Sequence, residues 1–198
     1  TQNYVVGYYT SWSRSNGYTP DKIDASKLTH IHYAFAGISS GYQLTMENAS
    51  TDLKNFEGLK KLKNKNPALK ILISVGGWDN SKNFSDAALT STSRETFAQS
   101  CLDFIQKHGL DGVDLDWEYP VSGGIEGTTH RPQDKQNYTK LIHAIRQKLD
   151  EQTARDGKKY FLTITGSPDK EFLSKTEPTA IFPLIDYLFI MAYDINGP

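Results

Sequence analysis

Six short apolar runs of strand character alternate with helical periodicity along this chain, and that alternation limits the fold more than any other feature. Residues 4–9 read as a first strand and 28–36 as a second. Phe56, Leu59 and Leu62 then recur at helical spacing with lysines opposite, closed by Asn66-Pro67. Residues 69–75 form a third strand, broken by Gly76-Gly77. Ser93 is the candidate N-cap of a helix that runs through Phe97, Cys101, Leu102, Phe104 and Ile105 to Gly109. An acidic strand begins at Asp111, followed by a Gly- and Thr-rich loop over 121–133. A long helix over 136–155 carries Leu141, Ile142, Ile145 and Leu149 on one side. Residues 160–165 and 187–192 supply the fifth and sixth strands.

Strands separated mostly by helices imply a parallel α/β architecture. A doubly wound sheet normally carries a G-x-G-x-x-G loop after an early strand, and this sequence has none. A (β/α)8 TIM barrel places its chemistry at the C-terminal strand ends, where Ser74, Glu118 and Tyr193-Asp194 fall. The barrel is therefore the expected fold, with residues 1–198 as one domain. Such barrels have eight strands and about 250 residues, so six strands amount to an incomplete barrel of about six βα units. The expectation is a piece of a longer natural protein, with its first and sixth strands left as unpaired edges open to self-association.

A formal net charge of -1 leaves no basic footprint for nucleic acid or an anionic membrane. No apolar run approaches the roughly 20 residues needed to span a bilayer, and polar Thr1-Gln2-Asn3 gives no sign of a signal peptide. The single cysteine, Cys101, excludes an internal disulfide and sits in an apolar helical pattern, so it is read as inert core. Several of the eleven Tyr and three Trp stand next to strand ends, where their faces could stack on a sugar ring.

The chemistry concentrates in Asp111-Gly112-Val113-Asp114-Leu115-Asp116-Trp117-Glu118. In a strand, Asp114, Asp116 and Glu118 share one face while Leu115 and Trp117 take the other. A rise of about 3.3 Å per residue separates neighbouring carboxylates by roughly 6.6 Å. At an effective dielectric of about 20, two such charges repel by about 2.5 kcal/mol. At least one member should then hold a hydrogen ion near neutrality. Glu118, at the strand end, is best placed to be that general acid. Asp111 breaks the rhythm and is read as a structural turn residue. The pattern lacks the glycine and distal glutamate of a calcium loop, so no metal is expected. His30 and His32 alternate along a strand with no acidic pattern beside them, and are read as packing or surface residues.

This acidic segment resembles the D-G-x-D-x-D-W-E signature of family-eighteen glycoside hydrolases, the chitinases. Ser74-Val75-Gly76-Gly77-Trp78 resembles their third-strand S-x-G-G element, Tyr33-Ala34-Phe35 their second-strand segment, and Met191-Ala192-Tyr193-Asp194 their sixth-strand M-x-Y-D. The resemblance implies a cofactor-free barrel that hydrolyses β-1,4 bonds of chitin or chitooligosaccharides with retention, the substrate's acetamido group serving as nucleophile. It implies that Glu118 is acid and then base, and that Asp116 turns toward Glu118 to hold the acetamido N–H. It further implies that Asp114 shares a proton with Asp116 and that Tyr193 bonds the acetamido oxygen. Ser74 would support Asp114, while Met191 and Asp194 would shape the pocket floor. Tyr8, Phe35, Trp78 and Tyr119 match or neighbour the family's sugar groove, with Trp12 a secondary candidate. An extracellular polymer as substrate implies secretion. Two other readings stay open: an endo-β-N-acetylglucosaminidase of the same family, and a non-catalytic carbohydrate-binding protein. One departure stands out: the aromatic pocket floor that the family draws from its last strand has no counterpart here.

Overall fold

A computed structural model describes residues 3–194. Its centre is one curled seven-stranded sheet. Strands β1 (Val6–Thr10) and β2 (His30–Ile38) pair in parallel, and the short β3 (Leu44–Met46) folds back antiparallel on the end of β2. Strands β4 (Lys70–Gly76), β5 (Gly112–Asp116), β6 (Phe161–Gly166) and β7 (Tyr187–Ile190) continue the parallel order β1-β2-β4-β5-β6-β7. These are six strands of a (β/α)8 barrel, curled into a half-barrel. Among the described residues β1 and β7 are its outer members.

Helices supply the crossovers. Helix α1 (Ala49–Leu62) leads into β4, and α2 (Gly77–Asn80), α3 (Phe84–Leu89) and α4 (Ser91–His108) lie between β4 and β5. Helix α5 (Asp134–Asp156) precedes β6, and the short α6 (Lys170–Lys175) and α7 (Pro178–Ile181) precede β7. No described helix is long and apolar enough to cross a membrane. The cap of α4 differs from the sequence expectation. Thr90 is the N-cap and Ser93 the third helical residue, because the two exchange hydrogen bonds in a capping box, Thr90 N to Ser93 Oγ and Ser93 N to Thr90 Oγ1, each 3.0 Å. Gly109 ends the helix with φ 66, the left-handed turn that glycine adopts without strain.

One core lies between the sheet's outer face and the helices. Ile71, Ile73, Val113, Leu115, Leu162 and Ile164 meet Phe56, Phe97, Ile105, Leu141 and Ile145, with Cys101 fully buried among them. Strand β5 is buried on both faces, as parallel strands under helical layers are. A strand so enclosed exposes no side chain to water by accident.

Asp111 fastens this arrangement. Its Oδ2 accepts the Ile71 N–H at 2.9 Å and lies 2.5 Å from Lys63 Nζ, while Lys158 Nζ stands 3.1 Å from Oδ1. Burial alone would raise its carboxyl, but Lys63, the Ile71 N–H and Lys158 together hold it below the usual carboxylate range. A depressed folded value contributes stability above the unfolded pKa of about 3.9, and that stability is lost as pH falls through the folded value. Asp111→Ala should therefore cost about 2–3 kcal/mol at neutral pH, the two half-exposed lysines recovering some hydration. Urea unfolding at pH 7 and pH 3 measures this. The gap between variant and parent should narrow at the lower pH.

Candidate active site

The two-residue rhythm of β5 divides its side chains cleanly. Leu115 and Trp117 turn toward the helices, where the Trp117 ring stacks on Phe84 and meets Tyr138 edge-on, both with centroids 5.2 Å apart. Asp114, Asp116 and Glu118 turn the other way and are 0%, 5% and 8% exposed in that order. The row thus climbs from the sealed interior toward the rim at the C-terminal strand ends.

Asp114 is held by hydroxyls from the strands on either side. Thr163 of β6 donates to Oδ1 at 2.6 Å, and Ser74 of β4 donates to Oδ2 at 2.7 Å. The strand register explains this, since Ser74, Asp114 and Thr163 are direct partners across β4, β5 and β6. Thr165 and the Tyr8 hydroxyl approach Oδ2 at 3.4 and 3.5 Å, and His32 Nδ1 stands 3.4 Å away. Burial would raise the Asp114 carboxyl, but His32 and the Thr163 and Ser74 bonds hold it below its ordinary value.

Asp116 is in the opposite condition. Its Oδ1 is buried with no hydrogen-bond partner. Burial first, then repulsion from Asp114 and Glu118, pushes its carboxyl well above the ordinary range. The Glu118 carboxyl is also raised, by burial and by Asp79, with Tyr119 pulling against them. Repulsion along the row therefore acts chiefly on its middle member, whereas the sequence reading gave the retained hydrogen ion to Glu118 at the strand end. The reason is depth: Asp116 is enclosed and has a carboxyl on each side. Asp114, by contrast, has both oxygens engaged by hydroxyls.

The turn after β4 fixes where the row ends. Gly76 has φ 104, and a Cβ there would lie 2.3 Å from the Asp116 carbonyl oxygen. Gly77 has φ 71, and a Cβ would press on the Phe35 ring at 2.9 Å. Neither position tolerates a side chain. Just beyond, the buried Ser81 hydroxyl donates toward the carbonyls of Gly77 at 2.8 Å and Asp116 at 3.1 Å, and accepts the Glu118 N–H at 2.9 Å. The Ala34–Phe35 and Glu118–Tyr119 peptide bonds are cis.

A cleft of ≈ 640 Å³ opens over this rim. Trp78, Glu118, Tyr119, Met191, Tyr193 and Asp194 line it, together with Ser167, Pro168 and Asp169. Trp78 and Tyr193 are more than half exposed there, at 51% and 65%. The structure thus brings six sequence-selected residues to one hollow. Ser74, Asp114 and Asp116 lie outside its lining, buried in the sheet. Tyr8 aims its hydroxyl inward at Asp114 and Thr165, leaving its ring part-exposed. Phe35 is half-buried against Gly77, and Trp12 is exposed outside the cleft lining.

His32, Thr163, Thr165, Ser81 and residues 167–169 escaped the sequence reading. For the last group, a Gly166-Ser167-Pro168 break at a strand end was the available signal. For His32, read from sequence as packing or surface, nothing local marked the carboxyl beside it.

Parallel βα units that deliver stacked carboxyls and an aromatic cleft to the C-terminal rim place this chain among the TIM-barrel proteins, whose sites sit on that face. The sequence matches glycosyl hydrolases family 18 over residues 4–198. Chitinase A1 of Niallia circulans is 42% identical over 238 residues, covering 98% of this chain and 34% of that protein. Chitinase ChiA74 from Bacillus thuringiensis superposes with TM-score 0.94 at 35% identity, covering 100% of this chain and 40% of that one. A family 18 N-acetylglucosaminidase from Paenibacillus barengoltzii superposes with TM-score 0.85 at 37% identity, covering 98% and 55%. The chain belongs to glycosyl hydrolases family 18. It spans about a third to a little over half of the length of these relatives.

Proposed function

We propose that this chain carries the acid–base centre of a chitin-hydrolysing enzyme that cuts β-1,4 bonds between N-acetylglucosamine units. The observation that carries this reading is the row Asp114–Asp116–Glu118, graded from sealed interior to cleft edge beneath an aromatic hollow. Glu118, raised by burial, donates its hydrogen ion to the glycosidic oxygen. The C1–O bond breaks as the substrate's own acetamido oxygen attacks C1 from the opposite face. Asp116 holds the acetamido N–H and offsets the positive charge that develops on the ring so formed. The Tyr193 hydroxyl steadies the acetamido oxygen, and Trp78 and Tyr119 offer their faces to neighbouring sugars. Water then attacks C1 as the C1–O bond to the acetamido oxygen breaks and the acetamido group is restored. The water gives a proton to the Glu118 carboxylate, which regenerates the acid and leaves the β-anomer.

That stereochemistry is the test. Proton NMR of the first product from a β-linked chitooligosaccharide should show the β-anomer before mutarotation. An initial α-anomer would remove the substrate-assisted route and leave a two-carboxylate inverting reaction in its place.

The Paenibacillus barengoltzii relative motivates a second reading, in which single terminal N-acetylglucosamine residues are released. Product length separates the two, since an internal cut yields dimers and longer fragments from the start. Chitin is an extracellular polymer, and on that ground we place the protein outside the cell.

A further inference from the structure

The hydrolase reading gives no work to His32, although this ring is fully buried beside the innermost carboxyl. We infer that His32 is a positioning residue which, acting through Asp114, sets how Asp114 and Asp116 divide their hydrogen ion. The inference rests on the acid–base role proposed above and adds a member to it.

Four observations carry it. First, Asp114 is 0% exposed, and among the described residues no lysine or arginine reaches it; His32 is the one basic side chain within ion-pair distance. Its remaining contacts are neutral hydroxyls from Thr163, Ser74, Thr165 and Tyr8. Second, Nδ1 and Nε2 of His32 have no hydrogen-bond partner, so nothing competes with Asp114 for Nδ1. At 3.4 Å from Oδ2, Nδ1 needs to move only a few tenths of an ångström to reach the usual hydrogen-bond range.

Third, aromatic walls hold the ring in place. Phe189 meets it edge-on at 4.7 Å, Tyr8 at 5.1 Å and Tyr187 at 6.3 Å between centroids. Fourth, the titratable groups around it leave Asp114 as its natural partner. They are Tyr8 from β1, His30 from β2 itself, Asp114 from β5 and Tyr187 from β7. Burial and the neighbouring His32 push the His30 imidazole down to about 4, and burial raises both phenols. An Nδ1–H of His32 aimed at Oδ2 favours the ionised form of Asp114 and so shifts the hydrogen ion toward Asp116, next to Glu118.

The test compares the protein with His32→Phe, which keeps an aromatic ring, and His32→Asn, which keeps an N–H near Nδ1 without charge. Carboxyl carbon-13 NMR follows Asp114 and Asp116 through pH. Loss of the Nδ1 donor should move their titration to higher pH by about one pH unit or more in His32→Phe, with His32→Asn falling between. The acid limb of the kcat profile should move the same way while KM stays put, a split that simple loss of packing does not produce. Superimposable carboxyl titrations in the parent and His32→Phe overturn the inference. Should the variants not fold, nitrogen-15 NMR of the parent reads the His32 tautomer: a protonated Nδ1 supports the inference, and a bare Nδ1 sinks it. These NMR readouts need no turnover, so a protein that cleaves no chitooligosaccharide defeats the hydrolase reading and still decides the role of His32.

Discussion

Glu118→Gln should lower kcat on chitooligosaccharides by about 10³-fold and leave their binding essentially intact. The substitution keeps the shape of a side chain that is 8% exposed at the cleft edge, so Trp78, Tyr119 and Tyr193 still meet the sugar. It removes the carboxyl whose hold on a hydrogen ion burial strengthens and Tyr119 weakens. An amide cannot protonate the leaving oxygen, nor can it take a proton from water in the second step. The parent should lose activity as pH rises through the elevated Glu118 value, and that basic limb should disappear in the variant. Steady-state assays paired with calorimetric titration of the oligosaccharide separate the two effects. Unchanged kcat would put the general acid elsewhere, whereas lost binding with normal residual chemistry would make Glu118 a sugar contact.

Asp116→Asn should lower kcat by about 10²–10³-fold, as expected when one preorganised electrostatic group at a developing charge is removed, yet it should make the protein more stable. Asp116 is buried, one of its oxygens has no partner, and burial with two neighbouring carboxyls raises its carboxyl. A folded value above the unfolded one favours the folded state at low pH, and that advantage disappears as pH rises through the folded value. At neutral pH the carboxyl is therefore a cost that the neutral amide avoids. A gain of about 0.5–2 kcal/mol is typical when a strained functional residue is relieved. Thermal unfolding from pH 4 to pH 8 should show the variant's advantage growing with pH. A variant that is less stable than its parent at every pH would mean that Asp116 is a structural residue.

The parts of this site that a reader could take from the sequence are those with a local rhythm. Period-two alternation assigned Asp114, Asp116 and Glu118 to one face of β5 and Trp117 to the other, and the structure keeps that division. The Gly76-Gly77 break marked the turn that presents Trp78, because two residues with positive φ and no room for a Cβ leave a signature in the chain. What the sequence could not supply came from register between strands. His32 meets Asp114 across β4, and Thr163 and Ser74 reach the same carboxyl from opposite sides. Spacing along β5 gives repulsion between acids; it says nothing about the donors that lower the Asp114 carboxyl while Asp116 is raised. The three-residue β3 was also missed, being too short to show any period.

The single hydroxyl of Ser81 touches the backbone on both sides of the rim, at Gly77 beside the Trp78 turn and at Asp116 and Glu118. In the proposed reaction, the stacking platform and the proton donor consequently share one mechanical joint. Remodelling the platform to accept a bulkier sugar would drag the acid with it, so breadth of substrate and speed of cleavage should change together when this corner is redesigned.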